Sequence, residues 1–139
     1  MPLIGGGGAA NTAGGNPAGT GTTLNYIGDF VYGHSGIIDV GGVQDQQYTL
    51  LSFSTSGSAI IKARFQFYYG DEDAGEDILY RVKMNSEVVA VFLADSPSVT
   101  NPWVAKLIIP PETKVELTAA NVSNTNVREH AATITGRLY

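Results

Sequence analysis

The chain has 139 residues, no cysteine and a formal net charge of −5, which fits one small acidic domain. The absence of cysteine excludes a disulfide framework and thiolate metal sites. The eight Lys and Arg residues are few and scattered along the sequence, whereas a nucleic-acid surface needs clustered basic side chains. We therefore expect no nucleic-acid partner, and composition alone assigns no function.

The longest apolar runs, residues 88–94 and 107–111, fall well short of the roughly 20 residues that span a membrane as a helix. The N-terminal sequence also lacks the basic region and the apolar segment of a secretion signal. We therefore expect no membrane partner and no export through the Sec pathway.

The first 23 residues differ from the rest of the chain. Residues 1–23 hold eight of the 17 glycines, and the first charged residue is Asp29. A glycine-rich segment loses much backbone entropy on ordering and buries little apolar surface in return. We expect residues 1–23 to be an extended arm and residues 24–139 to be the folded domain. A flexible linker is the alternative for the arm.

From residue 24 onward, apolar and polar residues alternate as in half-buried β-strands. In residues 58–70, for example, Phe65 and Phe67 share one face and Arg64 takes the other. The strands predicted in chain order are residues 26–32, 36–40, 47–53, 58–70, 77–84, 87–93, 104–109, 114–119 and 130–139. No segment has the apolar spacing of an amphipathic helix, and short strands at roughly ten-residue spacing are typical of a sandwich or barrel. The expected fold class is an all-β antiparallel sandwich.

Residues 77–84 and 87–93 are predicted to form a hairpin. Asn85 and Ser86 separate them, and Asn tolerates the positive φ that a tight turn requires. Residues 88–93 are apolar on both faces. We expect this strand to be covered on both sides, either by a second sheet or by a neighbouring subunit.

The segments between the predicted strands indicate how the two sheets are connected. Pro110 and Pro111 should end a strand abruptly, because proline has no N–H for the ladder. The long irregular segments 95–102 and 121–129 are predicted to be corners between two sheets. A jelly roll places its corners in this way.

Four segments carry a resemblance to a known family: residues 48–54 (YTLLSFS), 61–67 (IKARFQF), 107–121 (LIIPPETKVELTAAN) and 134–139 (ITGRLY). They resemble the small jelly-roll capsid decoration, or cement, proteins of tailed bacteriophages, particularly those of marine phages. The resemblance covers roughly residues 25–139 and implies a jelly-roll-like sandwich of about eight to nine strands. Other trimeric jelly rolls, including tumour-necrosis-factor-like domains and fibre heads, share such strand and turn patterns.

The resemblance implies a viral structural protein with no catalytic role and no cofactor. Such a protein is made in the host cytoplasm and sits on the outer capsid surface of the virion as a homotrimer. Its partner is the major capsid protein. The alternative interpretation is a fibre head or a host-glycan-binding virion module.

Two sets of contact residues follow from this interpretation. The tip of the arm has its only sizeable apolar side chains, and glycine permits close approach of another backbone. The candidate capsid contacts are Met1, Leu3, Ile4, Gly5 and Gly6. The doubly apolar strands should use one face for the core and the other for a neighbouring subunit. The candidate trimer contacts are Val89, Val91, Leu93, Val104 and Ile108.

The remaining chemical candidates are weak. Residues 71–77 contain five carboxylates without the EF-hand spacing, so we expect a solvated, self-repelling loop and predict no metal site. His34 and His130 could each approach a serine and an aspartate in space, but the sequence has no GxSxG elbow. We predict no catalytic residue.

Asn121 begins an N-glycosylation tripeptide, which we interpret as a chance match. Aromatic rings can stack on sugars, but packing in the core or at a subunit interface is the favoured role in a small sandwich. The aromatic residues concerned are Trp103, Tyr68 and Tyr80.

Overall fold

The computed structural model describes residues 24–55, 57–69, 76–94 and 103–139. Within these ranges the chain forms ten β-strands and no helix. In chain order the strands are β1 (Asn25–Ile27), β2 (Phe30–His34), β3 (Ile38–Val40), β4 (Tyr48–Ser54), β5 (Ile61–Tyr69), β6 (Ile78–Met84), β7 (Glu87–Ala94), β8 (Trp103–Ile109), β9 (Lys114–Asn121) and β10 (Arg128–Leu138).

The strands form two antiparallel sheets. Sheet A has the order β1-β2-β10-β5-β8, with β3 also paired to β10, and sheet B has the order β4-β9-β6-β7. Because β5 pairs along almost the whole of one edge of β10, β2 and β3 share its other edge. Between them, the Ser35 N–H donates to the Ala132 carbonyl oxygen (2.9 Å), and the Ser35 Oγ accepts from the Ala132 N–H (2.8 Å). β2 and β3 therefore behave as one interrupted strand.

The strand pairs are nested. β2 and β3 pair with β10, β4 pairs with β9, β5 pairs with β8, and β6 pairs with β7. Four nested antiparallel pairs that close into two facing sheets make a jelly roll. The all-β, jelly-roll-like sandwich expected from the sequence is confirmed. Residues 122–127, within the segment 121–129 predicted as a corner, connect β9 of sheet B to β10 of sheet A. The other predicted corner, residues 95–102, lies outside the described residues.

The core lies between the two sheets and follows the alternation of side chains along each strand. On β5, Phe65 and Phe67 are buried while Arg64 is exposed. Phe67 stacks on Tyr80 of β6 with ring centroids 4.6 Å apart. The largest fully buried side chains are Tyr80, Phe53, Phe65, Phe67, Leu50, Leu51, Ile61, Ile78, Ile109, Leu117, Ile134 and His130.

The single strand predicted for residues 26–32 is two strands. β1 and β2 form a hairpin around Gly28 and Asp29, with Gly28 at φ +58°. Glycine adopts this left-handed conformation at little cost. The aromatic and β-branched residues on both sides have high strand propensity, which conceals the turn in the sequence.

The predicted hairpin between β6 and β7 is confirmed. Asn85 and Ser86 connect the strands, both with positive φ (50° and 70°). Asn85 also attaches the turn to β9, because its N–H donates to the Lys114 carbonyl oxygen (2.8 Å) and its Oδ1 accepts from the Lys114 N–H (2.9 Å).

The proline pair marks the corner between β8 and β9. β8 ends at Ile109, directly before Pro110, as predicted. The side chain of Thr55 holds this corner, because its Oγ1 donates to the Pro110 carbonyl oxygen (2.9 Å) and accepts from the Thr113 N–H (2.9 Å). The corner also places Glu112 at φ +52°.

One residue of the acidic segment is buried, contrary to the expectation of a solvated loop. The Glu76 side chain is 2% exposed and pairs with Arg128, whose side chain is 27% exposed. Nε and Nη2 of Arg128 donate to the two carboxylate oxygens (3.1 and 3.0 Å), and Nδ2 of Asn126 donates to one of them (2.7 Å). These charge-assisted bonds compensate the burial of the carboxylate. Residues 71–75 lie outside the described ranges.

Candidate interaction surfaces

The edge strands of the two sheets lie next to each other on one side of the sandwich. β7 ends sheet B and β8 ends sheet A, and the Phe92 and Trp103 rings approach across the gap with centroids 6.5 Å apart. No strand of the described chain pairs with the outer edge of either one. We call this side the β7–β8 edge and define it by Val89, Val91, Leu93, Val104 and Ile108.

The residues predicted from the sequence as trimer contacts all lie at the β7–β8 edge. Four of them are strongly exposed apolar side chains, and Val104 is half-buried. The exposed fractions are 46% for Val89, 52% for Val91, 55% for Leu93 and 58% for Ile108. The exposed residues of β7 lie on the outer face of sheet B and Ile108 lies on that of sheet A, so the apolar side chains flank the edge on both sides.

The sequence predicts cover on both faces of residues 88–93, and within the described residues only the inner face of β7 is covered. Ala94 is buried against the core, and Phe92 packs on it. Val91 and Leu93 point to the outer face of sheet B, opposite Arg81 and Leu79 of β6. A second cover by a neighbouring subunit stays a prediction.

A second surface, which was not predicted from the sequence, lies on the outer face of sheet A. Four basic side chains meet there on three adjacent strands, around a groove of about 560 Å³. We call it the basic groove and define its cations as Lys62, Arg64, Lys106 and Arg137. The alternation along β5 places Lys62 and Arg64 on one face. Lys106 and Arg137 join them because β5 pairs with β8 on one side and with β10 on the other.

Exposed aromatic rings lie at one end of the basic groove. The Arg137 guanidinium lies over the rings of Phe30 and Tyr139, at 5.6 and 5.7 Å from their centroids. The Lys62 ammonium lies 4.9 Å from the centroid of the Tyr139 ring. Asp29 approaches Arg137 at 3.9 Å, with both side chains more than half exposed. Such an exposed ion pair contributes little to stability.

The two histidines lie on opposite faces of sheet A. His34 pairs with Thr133 on the outer face, whereas His130 is fully buried on the inner face. The His130 Nδ1 and the Tyr80 hydroxyl are hydrogen-bonded at 3.0 Å. His130 therefore belongs to the packed core, and the fold does not bring the two histidines into one site.

The remaining sequence candidates are structural where the chain is described. Asn121 is fully buried; its Oδ1 accepts from the N–H groups of Ser123 and Asn124, and its Nδ2 donates to the Asn126 carbonyl oxygen. A side chain held in this way is no glycosylation acceptor. Tyr80 lies in the core, as favoured.

Two further aromatic residues and a small cavity lie at the surface of the described chain. Trp103 lies at the β7–β8 edge, and Tyr68 is half-buried on the outer face of sheet A. A cavity of about 200 Å³ beside β1 is lined by Tyr26 and small residues of the segment before β5. Burial raises the pKa of the Tyr26 phenol above its ordinary value of 10.0.

Within the described ranges, no three His, Asp or Glu side chains cluster in a way that could hold a metal ion. No helix in those ranges is long and apolar enough to cross a membrane. The candidate capsid contacts Met1, Leu3, Ile4, Gly5 and Gly6 lie outside the described residues.

No protein-family model matches the chain, and no curated protein matches its sequence. Among solved structures, a chain of the T=1 particles derived from infectious bursal virus is 12% identical, with a TM-score of 0.49 over 99% of this chain and 36% of that one. The VP2 subviral particle of infectious bursal disease virus is also 12% identical, with a TM-score of 0.44 over 99% of this chain and 37% of that one.

PliG from Aeromonas hydrophila, a periplasmic inhibitor of g-type lysozyme, is 11% identical, with a TM-score of 0.40 over 91% of this chain and all of that one. The chain spans little more than a third of the length of the two viral chains it matches. Some of the structural neighbours are thus viral particle proteins, but the similarities are too distant to assign a function.

Proposed function

We propose that the chain is a structural protein of a tailed-phage virion, which decorates the outer surface of the capsid as a homotrimer and stabilises the shell. The major capsid protein is the proposed partner, and residues 1–23 are the proposed attachment arm. A jelly roll is compatible with many functions. The support therefore comes from the surface of the domain and from the segments that resemble decoration proteins.

The β7–β8 edge is the observation that carries the proposal. It combines exposed Val and Leu side chains on β7 with Ile108 on β8, next to strand edges that have no partner within the described residues. Proteins avoid leaving such edges open, because they promote association. Cover by identical neighbouring subunits would bury these apolar residues in a defined assembly.

A decoration protein of this kind needs no reaction chemistry. A subunit that binds the assembled shell, and not the dispersed capsid protein, shifts the equilibrium toward the shell by mass action. In a trimer, docking of one arm raises the effective concentration of sites for the other two. Individually weak contacts are then sufficient for stable attachment.

The arm has the reach and composition for this task. Fully extended, 23 residues span at most about 76–83 Å, and the absence of charge lets the segment lie close to another backbone. Met1, Leu3 and Ile4 could each contribute about 1.5–3 kcal/mol if fully buried. Ordering costs about 1–2 kcal/mol per residue, so backbone hydrogen bonds along the arm must add to these contacts.

Deletion of residues 2–22 tests the proposal. The truncated chain is expected to fold and trimerise as the full chain does, while its cosedimentation with capsids of the phage that encodes it becomes weaker. A melting curve and a sedimentation profile of the truncated chain are the controls for fold and assembly. If the truncated chain binds capsids as tightly as the full chain, the arm is a frayed linker. If the full chain does not bind capsids at all, the decoration role is wrong.

The alternative role, a fibre head or a host-glycan-binding module, would need accessible aromatic rings on a concave surface. Phe30 and Tyr139 are exposed rings beside the basic groove, but Lys62 and Arg137 lie over them. The described surface therefore favours the decoration role. Localisation and copy number in a virion map distinguish the two, because decoration subunits cover the shell whereas a fibre head occupies a few distal positions.

A further inference from the structure

The basic groove has a regular construction that follows from the register of sheet A. Two rows of outward side chains run across the strands and form its walls. One wall has Arg137 of β10 and Lys62 of β5, which are directly opposite each other. The other wall has Arg64 of β5 and Lys106 of β8, which are also opposite each other. Each wall therefore carries two basic side chains, of which Arg137 also approaches the Asp29 carboxylate at 3.9 Å.

The floor of the groove is the row between the two walls. Gly136, Ala63 and Leu107 lie there, side by side on β10, β5 and β8, and all three line the groove. The side chains of Ala63 and Leu107 belong to the inward row and Gly136 has none, so the backbone of three strands forms the floor. The walls are two residues apart along each strand, which corresponds to about 6.5–7 Å. The floor runs across the strands between the two charged rows, and the whole groove has a volume of about 560 Å³.

Its charge is unusual for this molecule. The groove contains half of the chain's eight basic residues, and none of the described residues that line it is acidic. Within the described part of the chain, neither Arg64 nor Lys106 forms a salt bridge. Like charges directly opposite each other on neighbouring strands destabilise a sheet, and this face has two such pairs side by side. These two pairs therefore lower the stability of the sheet, and such local costs are common at functional sites.

We propose that the basic groove binds a short, extended, carboxylate-rich segment of a protein partner. Successive side chains of an extended peptide point to opposite sides, so consecutive acidic residues would reach both cationic walls. A single nucleic-acid strand carries its phosphates along one side and would leave one wall unpaired. The net charge of −5 also opposes long polyanions, whose further charges would lie over the rest of the molecule. A local acidic segment avoids that repulsion.

That the partner is the shell protein rests on the proposed function, whereas the preference of the groove for an acidic peptide does not. Ile108 lies at one end of the groove and at the β7–β8 edge. The groove therefore opens beside the proposed subunit interface, where a trimer would present three such grooves to one shell.

Lys106→Glu is the sharpest variant. It places a carboxylate opposite Arg64 and converts a repulsive cross-strand pair into an attractive one, so the melting temperature is expected to stay level or rise. Because Lys106 lies between the proposed trimer contacts Val104 and Ile108 on the same face of β8, a sedimentation profile of the variant has to match that of the wild type. Binding of hexaglutamate to the full chain, measured by calorimetry at low salt, is expected to fall by about tenfold or more. The matched control is Lys114→Glu. Lys114 is an exposed lysine of β9 that lies opposite Ser54 in sheet B, so the change in charge is the same and binding should be kept.

Three comparison ligands test whether the groove prefers an acidic peptide to other polymers. Hexaglutamine should not bind, and oligothymidylate and oligogalacturonate should bind more weakly than hexaglutamate. Equal or tighter binding of the nucleotide or the sugar acid would overturn the peptide assignment. Equal binding of hexaglutamate to the wild type and Lys106→Glu would overturn the groove itself. If Lys106→Glu weakens hexaglutamate binding but leaves attachment to capsids unchanged, the groove has an acidic partner other than the shell.

Discussion

At the scale of single residues, Glu76 links two distant parts of the chain. It lies just before β6, and its carboxylate receives hydrogen bonds from Arg128 at the start of β10 and from Asn126 in the preceding corner. These hydrogen bonds to a buried carboxylate fix the corner between β9 and β10. The acidic character of residues 71–77 does not reveal this, because the pairing joins residues 52 positions apart.

Glu76→Gln keeps the shape of the side chain and removes its charge. Arg128 would lose its carboxylate partner, but its partial exposure lets water compensate some of the loss. We expect the free energy of unfolding to fall by about 1–3 kcal/mol, measured by urea denaturation. The control is Asp29→Asn, which removes the exposed partner of Arg137 and should change stability by less than about 0.5 kcal/mol. Equal effects of the two variants would contradict a structural role for the Glu76 pair.

Gly136 has a steric role on β10. A Cβ at this position would lie 2.5 Å from the Lys62 carbonyl oxygen and 3.2 Å from the Ala63 Cα, so β10 and β5 would have to separate. We expect Gly136→Ala to destabilise the fold by about 3 kcal/mol, the upper end of overpacking effects. This loss should appear as a lower urea midpoint.

Gly33→Ala is the matched control for Gly136→Ala. Gly33 is a strand glycine of the same sheet, and its Cβ would meet only the side chains of Ile134 and Leu24, at 3.4 and 3.5 Å. Its effect should stay below about 1 kcal/mol. A loss for Gly33→Ala as large as that for Gly136→Ala would show that strand glycines matter here for another reason.

At the scale of elements, the corners decide how strands change sheets. β8 belongs to sheet A and β9 to sheet B, and only Pro110 to Thr113 separate them. Proline fixes φ and offers no N–H, so β8 cannot continue. Thr55, directly after β4, stabilises the turn toward β9 through its hydrogen bonds to Pro110 and Thr113.

Replacement of Pro110 and Pro111 by alanine tests this corner. The core composition is unchanged, but the unfolded chain gains conformational freedom, so the expected loss is on the order of 1 kcal/mol. Differential scanning calorimetry should detect it as a lower melting temperature. An unchanged melting temperature would count against the assigned role of the proline pair in this corner.

At the scale of the whole molecule, the β7–β8 edge is where further subunits would attach. We expect the purified chain to sediment as a trimer at micromolar concentration. Val91→Lys combined with Leu93→Lys should shift it toward the monomer of 14.6 kDa, because burying two unpaired ammonium groups is costly. A wild type that sediments as a clean monomer would remove the proposed interface.

Val43→Lys serves as the control for the edge variant. Val43 is about as exposed as Leu93 but lies in the loop between β3 and β4, and β4 is at the opposite edge of sheet B from β7. This variant should remain a trimer. Loss of the trimer in both variants would point to a general effect of added charge, and not to the β7–β8 edge.

Much of the fold was determined by local sequence alone. The alternation in residues 61–67 assigns Phe65 to the core and Arg64 to the surface, Asn85 marks a tight turn, and Pro110 ends a strand. These features depend on steric and hydrophobic preferences of a few neighbouring residues. They are therefore visible without knowledge of the partner strands, and they led to the sandwich and to the apolar residues of the β7–β8 edge.

Only the tertiary structure decided which distant residues meet. Long-range strand pairing places Arg64 opposite Lys106 and Arg137 opposite Lys62, and it buries Glu76 against Arg128. Local alternation reports the face of a residue but carries no information about register. Register between distant strands is set by the packing of the whole core and by the turns. The basic groove consequently emerged only when β8, β5 and β10 were side by side.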